Sequence, residues 1–147
     1  VDDKEARELF RELAARCRNP KPALAVVGEL IVESVQRNFE EHRSPEGVPW
    51  KPVSDAYARW KTRHKGRNAS DILVLNRILM GSLTRRATAG SVAVGTNVPY
   101  AAVHQFGGRT GRRHAATMPA RPFLGVRQSD WDEIREIVTL FMTRGLK

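Results

Sequence analysis

The side chains best suited to catalysis or metal binding are dispersed along this 147-residue sequence. Its four histidines, His42, His64, His104 and His114, show neither HExxH nor Cys/His metal-site spacing. The single cysteine, Cys17, rules out an internal disulfide and cysteine-rich zinc sites. We therefore predict that the protein binds no metal and no other cofactor.

Catalytic carboxylates and phosphate-binding glycines are equally sparse. Asp71 is the only acid between residues 59 and 127, so the carboxylates of a two-metal nuclease would have to come from the terminal helices. Gly107-Gly108 does not form a phosphate-binding loop after a strand. Spacing identifies no Ser/His/Asp set, although such a triad is defined by geometry and spacing does not exclude it. We predict that the protein is not an enzyme, and that His104 has a hydrogen-bonded packing or interface role.

Positive charge is concentrated in the middle of the chain. The formal net charge is +9, yet residues 59–127 hold 13 basic side chains and one acid, whereas the flanking segments are nearly balanced. The electrostatic field of such a segment influences which partners the protein binds and does not determine its fold. It favours contact with an acidic protein surface or with nucleic acid.

Composition indicates one globular domain over residues 1–147, with 41% hydrophobic and 28% charged residues. We divide it into N-terminal helices (1–43), a loop, hairpin and motif region (44–127) and a C-terminal helix (128–147). No apolar run approaches the ~20 residues that cross a bilayer, so we expect no signal peptide and no membrane partner. One cysteine fits assembly in a reducing cytoplasm.

Apolar periodicity predicts helices at both ends of the chain. We expect Asp2 or Asp3 to cap the first helix, and Ser129 and Asp132 to form a capping box for the last, which Arg144-Gly145 ends. The predicted helices cover residues 2–19, 22–42 and 129–145.

The middle of the chain mixes short helices and strands. Residues 72–75 fit either a strand or a first helical turn, whereas residues 118–126 fit an edge strand or an extended segment. The short helices are expected at 54–61, 77–84 and 100–106, and a β-hairpin at 84–88 and 91–94, turned by Gly90 with a positive φ. These elements give an α+β fold, a small antiparallel β-sheet packed against two or three longer α-helices with a mobile basic loop or hairpin at 109–117.

Trp50 lies in a stiff, proline-rich segment, residues 44–53, and has two interpretations. The side chain can fold back and fill the core, or it can be a rigid aromatic anchor for a neighbouring subunit. Residues 59–67 form a basic run with comparable alternatives, a solvated loop or a phosphate-binding segment.

Several ordered motifs resemble the phage virion morphogenesis (tail completion) family of Mu-like and related tailed phages. The strongest are YAAVHQFGG at 100–108 and PARPFLG at 119–125, and weaker ones are GVPW at 47–50 and VGTN at 94–97. The resemblance spans residues 35–127. It departs at Asn76, where the family usually has glycine, and asparagine tolerates the positive φ of that turn.

The resemblance implies a structural virion protein of the neck or tail end that completes the tail or joins it to the head. It also implies a ring of identical copies, for which we expect six, in contact with a head connector or with tail tube or terminator proteins. We expect assembly in the host bacterial cytoplasm and non-specific contact with packaged DNA as a further option.

The alternative is a nucleic-acid-binding module that uses the basic segment 59–127. Against it, no known nucleic-acid-binding motif is present, and the aromatic residues do not alternate with the basic ones as in a stacking platform. From residue type and motif position we predict these partner-binding residues: Trp50, Tyr57, Trp60, His104, Gln105, Phe106, Arg109, Arg112 and Arg113.

Overall fold

The computed structural model describes residues 3–66, 68 and 71–144. The predicted roles of Asp2, Arg67, Ser70 and Gly145 lie outside these residues. The helices are α1 (Asp3–Arg18), α2 (Lys21–Glu41), α3 (Asp55–Lys65), α4 (Ile78–Gly81), α5 (Ala101–Phe106) and α6 (Asp130–Thr143). The strands are β1 (Thr84–Ala87), β2 (Val92–Gly95), β3 (Gly108–Thr110) and β4 (Ala116–Met118). The α+β class is confirmed, with the strands divided between two antiparallel hairpins instead of one sheet.

Helix α2 is the centre of the fold, as its long apolar face predicts. Phe39 is fully buried, and its ring packs edge-on against Trp50 and tilted against Phe123, with centroids 5.7 Å and 5.1 Å away. The remaining buried members of this core are Val35, Ile72, Leu79 and Ala101. Trp50, 6% exposed, therefore fills the core, and its interpretation as an exposed anchor is wrong in this structure.

The β1–β2 hairpin lies on α2 at Gly28. A Cβ atom at this glycine would stand 3.0 Å from both Arg85 and Val92, so the missing side chain allows the close approach. Val92 and Val94 share the half-buried face, as their alternation predicts. Gly90 does not have the predicted positive φ. The turn is instead closed by Thr88, whose hydroxyl accepts hydrogen bonds from the amides of Gly90 and Ser91.

The second hairpin, β3–β4, begins at the glycine pair that ends α5. Gly107 and Gly108 have φ angles of 73° and 142°, which side chains rarely adopt. A Cβ at Gly107 would also lie 2.8 Å from the amide nitrogen of Ala120. Residues 109–117, predicted as a mobile loop or hairpin, thus form a hairpin whose tip contains a short 3₁₀ turn, Arg112–His114.

Helix α6 packs on α2 and α1 packs on α6, and neither terminal helix buries an apolar side chain fully. Their predicted apolar faces are half-buried, and Phe10 stays 69% exposed. Ser129 makes no capping hydrogen bond, so the predicted capping box is wrong. The adjacent Asp130, the first residue of α6, is buried, and its carboxylate accepts from the amide of Arg127 and from the hydroxyl of Ser34, at 2.9 Å and 2.6 Å.

Three further boundaries differ from expectation. Residues 72–75 form turns and not a strand, and the helix predicted at 77–84 contracts to α4. The basic run is helical, because α3 continues four residues past its predicted end to Lys65. Ser54 caps α3 as predicted and accepts from the amide of Tyr57 at 3.4 Å. None of the helices in the described ranges is long and apolar enough to span a membrane.

We predict that Trp50→Ala lowers the free energy of unfolding by about 3–5 kcal/mol, because it opens a cavity beside Phe39. The melting temperature should fall by roughly 10 °C. Trp60→Ala removes the same side chain from a position that is 41% exposed and should lower the melting temperature by only a small fraction of that. Calorimetry on both variants checks the assignment, and equal shifts would contradict it.

Candidate assembly surface

Gln105 joins the two strongest sequence motifs by hydrogen bonds to the main chain. Its Oε1 accepts from the amides of Phe123 and Leu124, both at 3.0 Å, and its Nε2 donates to the Leu124 carbonyl at 3.1 Å. Next to it, the Arg121 amide donates to the His104 carbonyl at 2.7 Å. The segment 119–125 has no strand partner, so these bonds satisfy backbone groups that a β-ladder would otherwise satisfy.

The same segment is held from its other side by the core. Trp50 donates its indole N–H to the Pro122 carbonyl at 2.8 Å, and the Asn38 amide donates to the Phe123 carbonyl at 2.9 Å. Arg121 in turn donates to the carbonyls of Lys51 and Pro52. We call these contacts, with those of Gln105, the motif clamp. It uses Trp50 and Gln105, two of the residues predicted to contact a partner, to hold the chain together.

Arg127 continues the clamp onto α2. Its Nε donates to Asn38 Oδ1 at 2.9 Å, and its Nη2 pairs with the Glu41 carboxylate at 2.8 Å. This hydrogen bond holds the pKa of Glu41 below its ordinary value. Arg127 thereby fixes the turn that leads into α6.

A groove of about 730 Å³ opens between α3, the turns at 71–79 and the β3–β4 hairpin. Leu73, Leu75 and Met118 contribute apolar walls. Tyr57, Ile78 and Tyr100 also line it and are 40–55% exposed, so the groove is accessible from solvent. Its size and apolar walls suit the side chains of a binding partner.

The polar side chains of the groove include His104, Lys61 and Arg121, and Ser54, Asp71, Asn76, Arg77, Thr110 and Thr117 also line it. Lys61 is buried and donates to the Asp71 carbonyl, a role that its place in a basic run did not suggest. Burial, and then the nearby Arg121 guanidinium, lower the pKa of His104 below its ordinary value. Within the described ranges, His104 Nδ1 is buried without a hydrogen-bond partner. His104 packs edge-on against Tyr100, but the hydrogen bond predicted for its packing role is absent at Nδ1 among the described residues.

Arg121 is a buried guanidinium without a carboxylate partner among the described residues, and burial lowers its pKa. Its hydrogen bonds go to two carbonyls and to the sulfur of Met118. A positive charge with this environment gives the groove a cationic floor.

Three rings form a continuous stack on the exposed side of α3, which we call the aromatic column. The centroids of Tyr57 and Trp60 lie 5.5 Å apart, and those of Trp60 and His64 lie 5.7 Å apart. Arg59 and Arg63 are exposed on the same helix. From the sequence we expected aromatic residues not to alternate with basic ones, and this expectation is wrong for α3. Helical spacing brings the aromatic and basic side chains onto neighbouring faces of this helix.

The β3–β4 hairpin presents Arg109, Arg112 and Arg113. All three are exposed, and in the described part of the chain none makes an ion pair. Phe106, at the end of α5, is 79% exposed. Phe106, the aromatic column and these arginines are thus exposed on the surface, and their contact with a partner stays a prediction.

The residues that sequence reasoning missed are those of the clamp and groove: Asn38, Lys61, Tyr100, Arg121 and Arg127. The signal for Arg121 was its position between prolines and apolar residues, where a surface arginine is unexpected. Among the described residues, no group of three or more His, Cys, Asp or Glu side chains could hold a metal ion.

The fold and surface together define a small α+β protein whose polar motif residues stabilise the chain and whose exposed face is aromatic and cationic. Profile comparison places this protein more narrowly: it belongs to the phage virion morphogenesis family, whose profile matches residues 1–142. The family resemblance in the sequence is thereby confirmed. Membership gives the protein a structural role in the phage tail and makes it a virion component.

Three relatives cover most of the chain. It is 33% identical to Mu-like prophage FluMu G protein 2 of Haemophilus influenzae over 90% of its length and 85% of that protein. It is 28% identical to the putative capsid assembly protein G of Escherichia phage Mu, over 83% and 79% of the two chains. It is also 28% identical to tail completion protein S of Escherichia phage P2, over 94% and 85%. No solved structure matches it.

We predict that Gln105→Ala lowers the free energy of unfolding by about 2–4 kcal/mol, because the amides of Phe123 and Leu124 lose their acceptor. Gln128→Ala, at an exposed glutamine just before α6, should change it by less than about 0.5 kcal/mol. Denaturant unfolding of both variants measures the difference. If Gln105→Ala unfolds at the wild-type midpoint, the clamp does not hold the segment.

We also predict a pH dependence that comes from His104. Because its folded pKa lies below its unfolded value, the unfolded chain binds more protons between the two values. Stability is therefore complete above the unfolded pKa and falls as the pH decreases towards the folded pKa. In His104→Gln this loss should be smaller, as measured by urea unfolding near pH 7.5 and near pH 5. An unchanged pH dependence in the variant would rule His104 out as its source.

Proposed function

We propose that the protein completes the phage tail as a ring of identical copies at the neck, where it joins the tail to the head. The phage P2 relative is a tail completion protein by name, and the phage Mu relative is named as a putative capsid assembly protein. The proposal extends these roles to this chain. It also assigns the protein no catalytic activity, in line with the structural character of the family.

The observation that carries the proposal is the apolar surface that a single copy leaves exposed. In the described ranges, ten large apolar or aromatic side chains are at least 40% exposed, on α1, α2, α3, α6 and the segments between them. Scattered apolar side chains are normal on a monomer, but the aromatic column and the groove beside it form a larger continuous area. Assembly with partners buries such a surface.

A ring is the expected form of this assembly. When one surface of a copy binds a different surface of the next, the contacts close into a ring if the rotation between copies fits a full turn. We propose six copies, with a head connector on one side and tail tube or terminator proteins on the other. The basic hairpin then faces either an acidic patch of such a neighbour or the DNA that passes through the ring.

The aromatic column favours a second candidate, binding of nucleic acid by the isolated protein. Stacked rings beside arginines suit exposed bases and phosphates. Such binding weakens steeply with salt, since it releases counterions. Strong, salt-dependent binding of DNA by dilute single copies would favour this candidate over assembly.

We predict that replacing Arg109, Arg112 and Arg113 together with alanine leaves the melting temperature unchanged but lowers the yield of infectious particles at least ~10-fold. The three side chains make no ion pair in the described part of the chain, so their loss should not destabilise the fold. Melting curves and plaque titres measure the two effects.

The matched control replaces Arg11, Arg18 and Lys21 with alanine, which removes the same charge from the N-terminal helices. A normal titre with the hairpin variant, or an equal loss with the control, would contradict the role of the hairpin. Native mass spectrometry and electron microscopy of completed tails test the ring itself, and a single copy per particle would overturn it.

A further inference from the structure

We infer that the acidic outer face of α6 from one copy docks on the cationic groove of the next copy. This inference rests on the proposed assembly of identical copies and names the two surfaces that make the contact. One surface is the groove with its surrounding cations, and the other is a stripe on α6 formed by Glu133, Glu136 and Leu140.

The α6 stripe follows from helical spacing. Glu133, Glu136 and Leu140 stand three and four residues apart, so they share one face of the helix. All three are exposed, and Leu140 is 60% exposed although it is a large apolar side chain. In the described part of the chain neither glutamate makes an ion pair, whereas the neighbouring Asp132 pairs with Arg135. The stripe therefore offers two free carboxylates beside one apolar side chain.

The groove offers the complementary chemistry. Arg77 lies on its wall and Arg121 on its floor, and neither pairs with a carboxylate in the described residues. Arg109 stands next to Thr110, which also lines the groove. Ile78, 55% exposed, gives its rim an apolar contact for a leucine. An amphipathic helix in an apolar groove is a common recognition mode, here reinforced by opposite charge.

The two surfaces lie on different parts of the fold. Helix α6 packs against α1 and α2, whereas the groove is formed by α3, the turns at 71–79 and the β3–β4 hairpin. A contact between copies therefore joins unlike surfaces, which is the arrangement that a closed ring requires. A symmetric pairing of two grooves or two α6 faces would instead bring like charges together.

Charge reversal tests this contact. Variant one carries Arg77→Glu and Arg109→Glu, and variant two carries Glu133→Lys and Glu136→Lys. All four residues are exposed, and glutamate at position 77 adds no branching at its positive φ of 55°. A control, Lys21→Glu with Arg86→Glu, changes the net charge as variant one does but at exposed positions outside both surfaces. Circular dichroism melting verifies that each variant folds.

Native mass spectrometry at low salt then measures how many copies of 16.5 kDa associate. We expect the wild type and the control to assemble, and each charge-reversed variant alone to associate at least ~100-fold more weakly. A one-to-one mixture of the two variants should assemble again, with the variants alternating. A single chain that carries all four substitutions should also assemble.

Each remaining outcome overturns the inference. If each variant alone assembles like the wild type, the copies associate through other surfaces, and the proposed ring survives. If neither the mixture nor the fourfold variant assembles, the two surfaces do not meet. A wild type that stays monomeric up to its solubility limit overturns this contact, while copy counting in completed tails decides the ring independently.

Discussion

The hydrogen bonds of Gln105 to the main chain of Phe123 and Leu124 are the interaction on which the rest of the structure depends. They connect α5 to a segment that has no strand partner, and the bond from Trp50 to the Pro122 carbonyl secures its opposite side. Without these bonds the buried amides of the segment would lack partners, at a cost of about 1–3 kcal/mol each. Phe123 is carried into the core by the segment, so the clamp also determines how α2 is covered.

This arrangement separates the part of the protein that holds the fold from the part that meets partners. The clamp residues point inward, whereas the aromatic column, Phe106 and the hairpin arginines point outward. Because so few elements are strands, the exposed backbone edges are short, and side chains dominate the surface that a partner contacts.

Periodicity predicted the parts of the fold that are governed by local patterns. The long apolar face of α2, the valines of β2 and the glycine pair after α5 each produced the expected element, because helix and strand periods and positive φ angles are readable from neighbouring residues. The sequence could not reveal that Gln105 binds amides 18 and 19 positions away, or that the carboxylate of Asp130 binds the amide of Arg127 and the hydroxyl of Ser34. These choices are made by tertiary contact.

The candidate site was predictable by residue type but not by orientation. Tyr57, Trp60, Phe106 and the hairpin arginines are exposed as an interface requires, yet Trp50 is equally aromatic and lies in the core. Lys61 is a second example, because a lysine within a basic run is expected to be exposed. The turn at Asp71 instead buries it. Composition does not distinguish these cases, since the direction of each side chain depends on how α3 and the clamp meet.

Helix α1 is held less firmly than the central helix α2. It buries no side chain completely and packs mainly on α6, so the contacts that keep it in place are fewer than those that hold α2. Its detachment costs less free energy than unfolding of the core, and the two events are separate equilibria. Helix α1 is therefore the element expected to open first as the temperature rises, before the core around α2 loses its packing.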